Sequence, residues 1–460
     1  MSPATSRLLS TIFILIVFVG WTIYESWQCW PSTYTPDPDI ISQMSQALSG
    51  HYNDWKPTLH SWLLGVLELI HPGNGVGMAL LVHIFIIGIS VTGISLYYGI
   101  LDKRYTILVL ALPLFFTYKG MSINTVSNDV LAAACYLLFI SLILWGQLIS
   151  QKMVKTSFIA IAYTILAYGM VLRHNAIPAI VVLAAWGAWR LGTRPLRACI
   201  LATCFILITL MGSHILTYQV LRAEPSYPLK SPLANDLVNL SIVQGKWSTY
   251  CIENGADKLP APHEYSMLMP QVANGGVPIN PFLIPANPTE RKQVYLDMRE
   301  AWLKEITTHP LDFLAFKSFF YHQHLLQGRC LPVACRYFRS IYPHVRIHME
   351  SESQHLEAWL NRQFIVLSLI PLTSFAALII LPIVCRVKHC KFSSLPQPAQ
   401  DAFCFIATAL LYCATFMPFV VAATEFRYYI IRASLCAVAL PLLILTYYIY
   451  RRPTNLGQTS

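Results

Sequence analysis

The stretch TLHSWLLGVLELIH, residues 58–71, is apolar enough to enter a bilayer and too short to cross one. A helix that spans about 30 Å of hydrocarbon needs about 20 apolar residues, and this one also carries Glu68. If it spanned, every later loop would change sides. The short loops after it hold Lys103 and Arg104, then Lys152 and Lys155, then Arg190, Arg194 and Arg197, then Arg386, Lys388 and Lys391, then Arg451 and Arg452. With 58–71 lying shallowly in the outer interface, all five sets face the cytoplasm, the side on which basic loops accumulate. The segment is therefore predicted to be a juxtamembrane helix, not a span.

The rest of the chain agrees with a membrane setting. Of 460 residues, 55% are hydrophobic and 12% charged, against about 25% charged in a soluble domain, and the mean hydropathy is +0.51. Apolar runs recur without the two-residue alternation of a membrane barrel, so the fold class is an all-α polytopic membrane protein. About ten spans are predicted, over 8–25, 76–100, 105–118, 128–149, 157–172, 176–192, 197–218, 363–385, 401–422 and 428–450, with residues 8–25 read as a first span instead of a cleavable signal. Residues 1–218 form an N-terminal transmembrane module with its first outer loop at 26–75. Residues 219–362 form one large, mainly helical periplasmic domain, 363–450 the C-terminal transmembrane helices and 451–460 a cytoplasmic tail. The net charge of +10 sits in the short loops, which excludes a nucleic-acid patch and leaves the lipid bilayer as the charged partner surface.

On the outer side the ionisable residues gather at the membrane edge. Asp37, Asp39, Asp54, Lys56 and His60 come from the first loop, Asp129 from the start of the fourth span, Arg173 and His174 from a short turn, and Glu425 and Arg427 from just before the last span. Ionisable groups placed together at helix ends near lipid mark a site. Lys56, His60, Arg173 and Arg427 supply groups suited to a phosphate held at the bilayer surface. Asp39 or Asp37 can take a proton from an acceptor hydroxyl, and Asp129, His174 and Glu425 complete the substrate-binding rim. No metal is assigned, although Asp37, Asp39 and Asp129 together have the oxygen ligands to hold a divalent cation.

The order of these motifs resembles the GT-C class of integral membrane glycosyltransferases. PDPDIISQMSQALSG, residues 36–50, is similar to that class's acidic first loop, and DWKPTLHSWLLG, residues 54–65, to the HPP or KPP motif of protein mannosyltransferases and aminoarabinose transferases, with only one proline here. SINTVSNDVLAA, VLRHNAIPAI, REAWLKEITTHPLDFLAFK and TEFRYYI follow in the matching order. The resemblance implies a polyprenyl-phosphate-linked sugar donor, a glycan or glycolipid acceptor, and an active site on the periplasmic face of a bacterial inner membrane. It implies Asp39, with Asp37 as the alternative, as the base, and Lys56 as a contact to the donor phosphate.

Two other classes share parts of the pattern. An O-antigen ligase or polymerase has a similar span count and relies on Arg and His in its large outer loop, which HQHLLQGRCLPVACRYFR, residues 322–339, offers; it does not require an acidic first loop. A lipid or glycan transporter shows symmetric halves and interrupted helices, which are not evident here. Among minor features, Cys330 and Cys335 are spaced for a small disulfide. His309 precedes Pro310 at a helix boundary, and Val294, Met298, Trp302 and Ile306 line one stripe of an amphipathic helix that Pro310 stops.

Overall fold

A computed structural model of the chain describes residues 3–29, 38–115, 128–173, 176–264, 288–325, 341, 369–387, 394–419 and 430–451. Among these the structure is helical, and its one β-bridge joins Asn53 to Glu224. The protein is an all-α, multi-pass membrane protein. Among the described residues six helices are long and apolar enough to cross a membrane: Thr5–Trp27, Gly75–Leu101, Asn128–Leu148, Lys152–Leu172, Pro195–Val220 and Ile430–Tyr450.

In chain order the helices are α1 (Pro3–Cys29), α2 (Pro38–Ser49), α3 (Thr58–Ile70), α4 (Gly75–Leu101), α5 (Asn128–Leu148), α6 (Lys152–Leu172), α7 (Ile177–Arg190), α8 (Pro195–Ile215), α9 (Lys230–Gln244), α10 (Thr249–Glu253), α11 (Pro288–Thr308), α12 (Pro310–Leu325), α13 (Ile370–Val387), α14 (Gln397–Phe419) and α15 (Ile430–Arg451). Of the other expected spans, 363–385 and 401–422 correspond over their described residues to the α-helices α13 and α14, whereas two are less regular or shorter. The one expected at 105–118 is a 3₁₀-helix, Lys103–Phe115, and at about 2.0 Å per residue it still extends about 26 Å. α7 is an α-helix of 14 residues, about 21 Å long, and its last residue, Arg190, is buried.

Side-chain bonds fix which helix ends lie together. Tyr98 at the end of α4 and Trp186 near the end of α7 both bond to Asp401 at the start of α14. Asp129 at the start of α5 pairs with Arg173, just past the end of α6. Successive membrane helices therefore alternate in direction, and the loops with Lys103, Lys152 and Arg194 share one end.

Burial separates centre from rim. In the apolar stretch of α5, 83% of residues are buried, against 17% in α1 and 11% in α8. α5 is the central post, and the outward faces of α1 and α8, with Ile16, Ile23, Leu196 and Ile208 exposed, are the lipid-facing walls. Small residues let the post be approached closely: Trp145 of α5 donates to the Gly93 carbonyl of α4 at 2.8 Å, where a Cβ on Gly93 would collide with the Ser141 hydroxyl.

A second apolar cluster lies outside the membrane helices. Leu237, Val238 and Leu240 of α9 pack with Met298 of α11 and Phe316 of α12, flanked by Trp302 and Phe313. The expected amphipathic stripe is used in this way, with Met298 buried and the Trp302 indole donating to Asp236 at 3.0 Å. Lys317 closes on the same carboxylate at 2.6 Å. Burial, the largest influence, holds the Asp236 carboxyl above the usual range against the opposing pull of Lys317 and Trp302.

Candidate functional site

The first outer loop is held by its own side chains before it meets anything else. α2 stops at Gly50, whose φ of +70° suits glycine and whose N–H donates to the Gln46 carbonyl. The Gln46 side chain then reaches forward to Asn53, accepting from its N–H at 3.1 Å and donating to its side-chain oxygen at 3.3 Å. Asn53 Oδ1 also accepts from the Trp55 N–H at 3.1 Å. Residues 53–57 are thereby a fixed turn, and Pro57 leads directly into α3.

That turn is stitched to the segment that follows α8. Asp54 N–H donates to the Glu224 carbonyl at 3.1 Å and Glu224 N–H to the Tyr52 carbonyl at 2.9 Å. The Asp54 carboxylate accepts from the Tyr218 hydroxyl at 2.6 Å and from both the N–H and the hydroxyl of Ser226. Tyr218 lies in a single π-helical turn, Leu216–Val220, that ends α8; such turns recur at functional sites. Tyr227 next to it has φ of 55°, a left-handed conformation that non-glycine residues rarely hold without a surrounding constraint. Its ring stacks on Tyr295 of α11 at 5.1 Å between centroids.

Between these segments and the end of α6 opens a cleft of about 640 Å³, within the size range of small-molecule sites. Lys56 and Arg173 both line it, from separate segments, with Asn128, His214, Tyr227 and Tyr295. Arg173 has two roles. Its guanidinium holds the Asp129 carboxylate, which is 1% exposed, while the arginine itself is 21% exposed and faces the cleft.

The expected site residues divide as follows. Lys56 and Arg173 both line this cleft, and Asp129, buried, is tied to it only through its ion pair with Arg173. His60 is not among them: one turn further along α3 it is buried, its ring bonded to the Tyr168 hydroxyl at 3.1 Å. Asp39 sits in the first turn of α2, and its side chain lies outside the described residues. Asp37, His174, Glu425, Arg427, Cys330 and Cys335 also lie outside them. Among the described residues no three His, Cys, Asp or Glu side chains converge as metal ligands, and the carboxylate set expected for a divalent cation includes the undescribed Asp37.

Sequence reasoning missed His214, Tyr218, Ser226, Tyr227 and Tyr295. His214 was within reach, since it is an ionisable residue at the outer end of an apolar span, the same signal that picked out Arg173. The tyrosines depend on chain segments far apart meeting, which no local pattern reports. Comparisons of the chain with protein-family models, with characterised proteins and with solved structures find no match.

Proposed function

We propose that the protein is an inverting glycosyltransferase of GT-C type, which moves a sugar from a polyprenyl-phosphate carrier to a hydroxyl of an envelope glycan or glycolipid on the periplasmic face of a bacterial inner membrane. The observation that carries this reading is the convergence of Lys56 and Arg173, from segments far apart in the chain, on one cleft at the end of a membrane bundle. Two cations lining one cleft suit a phosphate that is tethered in the lipid and presents its sugar outward.

The chemistry follows from that placement. The acceptor hydroxyl attacks the anomeric carbon from the face opposite the phosphate, forming one C–O bond as the bond to the phosphate oxygen breaks. The proton passes to Asp39, and the lipid phosphate leaves with its added negative charge held by Lys56 and Arg173. Arg173 is kept in place by Asp129, and Lys56 by the turn that Asp54 fastens to Ser226 and Tyr218. The Tyr227–Tyr295 pair offers the cleft an apolar aromatic wall of the kind against which a sugar ring lies.

The test is transfer of label from a radiolabelled polyprenyl-phosphate sugar to glycan in membranes containing the protein. Asp39→Asn is expected to lower the rate by about 10²–10⁴-fold, the usual contribution of a positioned base. Transfer at the wild-type rate would remove Asp39 from the mechanism, and a wild-type protein that neither binds nor consumes the donor would end the reading.

A further inference from the structure

One helical turn deeper than the cleft, on the same three helices, lies a different cavity. Thr58, Asn128 and Leu172 line the cleft, whereas His60 on α3, Leu131 on α5 and Tyr168 on α6 line a space of about 340 Å³ below it, completed by α4. Its lining is mostly aliphatic, with the imidazoles of His60 and His83, the hydroxyls of Tyr168 and Thr164 and the Cys135 thiol as its polar groups. Both are about 1% exposed. His60 spends one ring nitrogen on Tyr168, and among the described residues its Nε2 has no partner and His83 has none at either nitrogen. An unsatisfied buried polar atom costs about 1–3 kcal/mol, so two imidazoles left this way in an apolar cavity need an explanation.

We infer that this cavity is a binding site for an uncharged amphiphile, an aliphatic or isoprenoid body ending in a single hydroxyl or carbonyl oxygen that bonds to His60 and His83. Each requirement is met by the lining. A neutral imidazole offers one donor and one acceptor, which matches a hydroxyl. Among the described residues no lysine, arginine, aspartate or glutamate lines the cavity, so these walls provide no counter-charge for an anionic or cationic head. The aliphatic walls from Leu63, Val82, Ile86 and Leu138 suit a hydrocarbon body. Val82 and Thr164, on membrane-spanning helices, are the exposed lining residues, so the mouth opens sideways between α4 and α6 toward lipid. The site is separate from the cation-lined cleft, and its existence does not depend on the transfer reaction.

The experiment uses 1-dodecanol carrying a photoreactive diazirine on its chain, added to the full-length protein in lipid nanodiscs and mapped by mass spectrometry after illumination. Labelling is expected on α4 and α6 around His83 and Thr164. It should be competed by unlabelled dodecanol and not by dodecane, which has the same body without the oxygen. His83→Leu should lower labelling about tenfold, the effect of one lost hydrogen bond in dehydrated surroundings, and His83→Gln, which keeps a donor and an acceptor, should restore part of it. Equal competition by dodecane, or labelling unchanged in His83→Leu, would show a merely greasy crevice and overturn the proposal. So would absence of labelling, which leaves only water to satisfy the imidazoles. Competition by dodecyl phosphate as strong as by dodecanol would overturn it in a different way, by assigning the cavity to the tail of a phosphate lipid.

Discussion

At one end of the helix bundle Asp401 meets Arg190, and at the other Asp129 meets Arg173. The first pair is sealed. Asp401 and Arg190 side chains are 0% and 1% exposed, 3.4 Å apart, and the carboxylate also accepts from the Tyr98 hydroxyl at 2.7 Å and the Trp186 indole at 2.8 Å. Arg190 passes on to the Tyr97 hydroxyl, which donates to Gln147. Five helix ends, those of α4, α5 and α7, the start of α14 and the adjoining 3₁₀-helix at Tyr105, are gathered there with aromatic rings in contact. The second pair is open. Asp129 has Arg173 on one oxygen and, among the described residues, no partner on the other, and the arginine faces a cleft. The same two residue types serve as a buried clamp where the carboxylate is held by Tyr98, Trp186 and Arg190 together and as a cleft-facing pair where the arginine is left partly to solvent.

The largest expected effect lies at the sealed end. Asp401→Ala leaves a buried guanidinium without its carboxylate, and loss of one partner of a buried ion pair costs about 3–5 kcal/mol. The protein should express poorly and melt far earlier in detergent. The double variant Asp401→Leu with Arg190→Met should recover much of that loss, because apolar residues of similar volume replace a buried pair at little cost. If the single variant melts with the wild type, the clamp is not one.

The outer helices provide the next break. Lys317→Met strands the Asp236 carboxylate in the α9–α12 core and should cost about 3 kcal/mol at neutral pH. Burial raises the Asp236 pKa in the folded state, so the stability tied to its protonated form is complete below the unfolded value and is lost as pH rises through the folded one. The variant should therefore be less destabilised in acid than at neutral pH. A deficit independent of pH would place the cost in lost packing over Phe313 and Phe316 instead.

At the open end the expected change in stability is smaller and the change in function larger. Asp129→Asn should cost about 1–2 kcal/mol, because Arg173 keeps access to solvent, and should weaken donor binding by releasing that arginine. A penalty as large as that of Asp401→Ala would erase the distinction between the two ends.

Much of the scaffold is visible in the residues themselves. Continuous apolar runs bounded by Lys103, Lys152 and Arg194 gave the helices and their alternation, and the Val294, Met298, Trp302 stripe gave α11 and the face it buries. The partners were not visible. Arg190 counted as one more loop cation beside Arg194, and only the packing of α7 against α14 shows it buried on Asp401. An aspartate opening an apolar segment, as Asp401 does in DAFCF, carries the same signal as Asp129 and could have marked the clamp. His60 stood in a motif that pointed to phosphate, but helical spacing turns it one step past Thr58 into an apolar cavity. The turn 53–57 is partly local, through Asn53 and Gln46, whereas its attachment to Tyr218 and Ser226 depends on segments that the sequence keeps far apart.

Binding of a radiolabelled polyprenyl-phosphate sugar to the purified protein in nanodiscs tests directly whether the cleft lined by Lys56 and Arg173 holds a lipid-linked phosphate. Lys56→Ala should weaken binding by about tenfold or more, the contribution of a charge-assisted hydrogen bond, while leaving the melting transition within about 0.5 kcal/mol of wild type, as for a residue outside the core. Donor affinity unchanged by both Lys56→Ala and Arg173→Lys would contradict that placement of the phosphate.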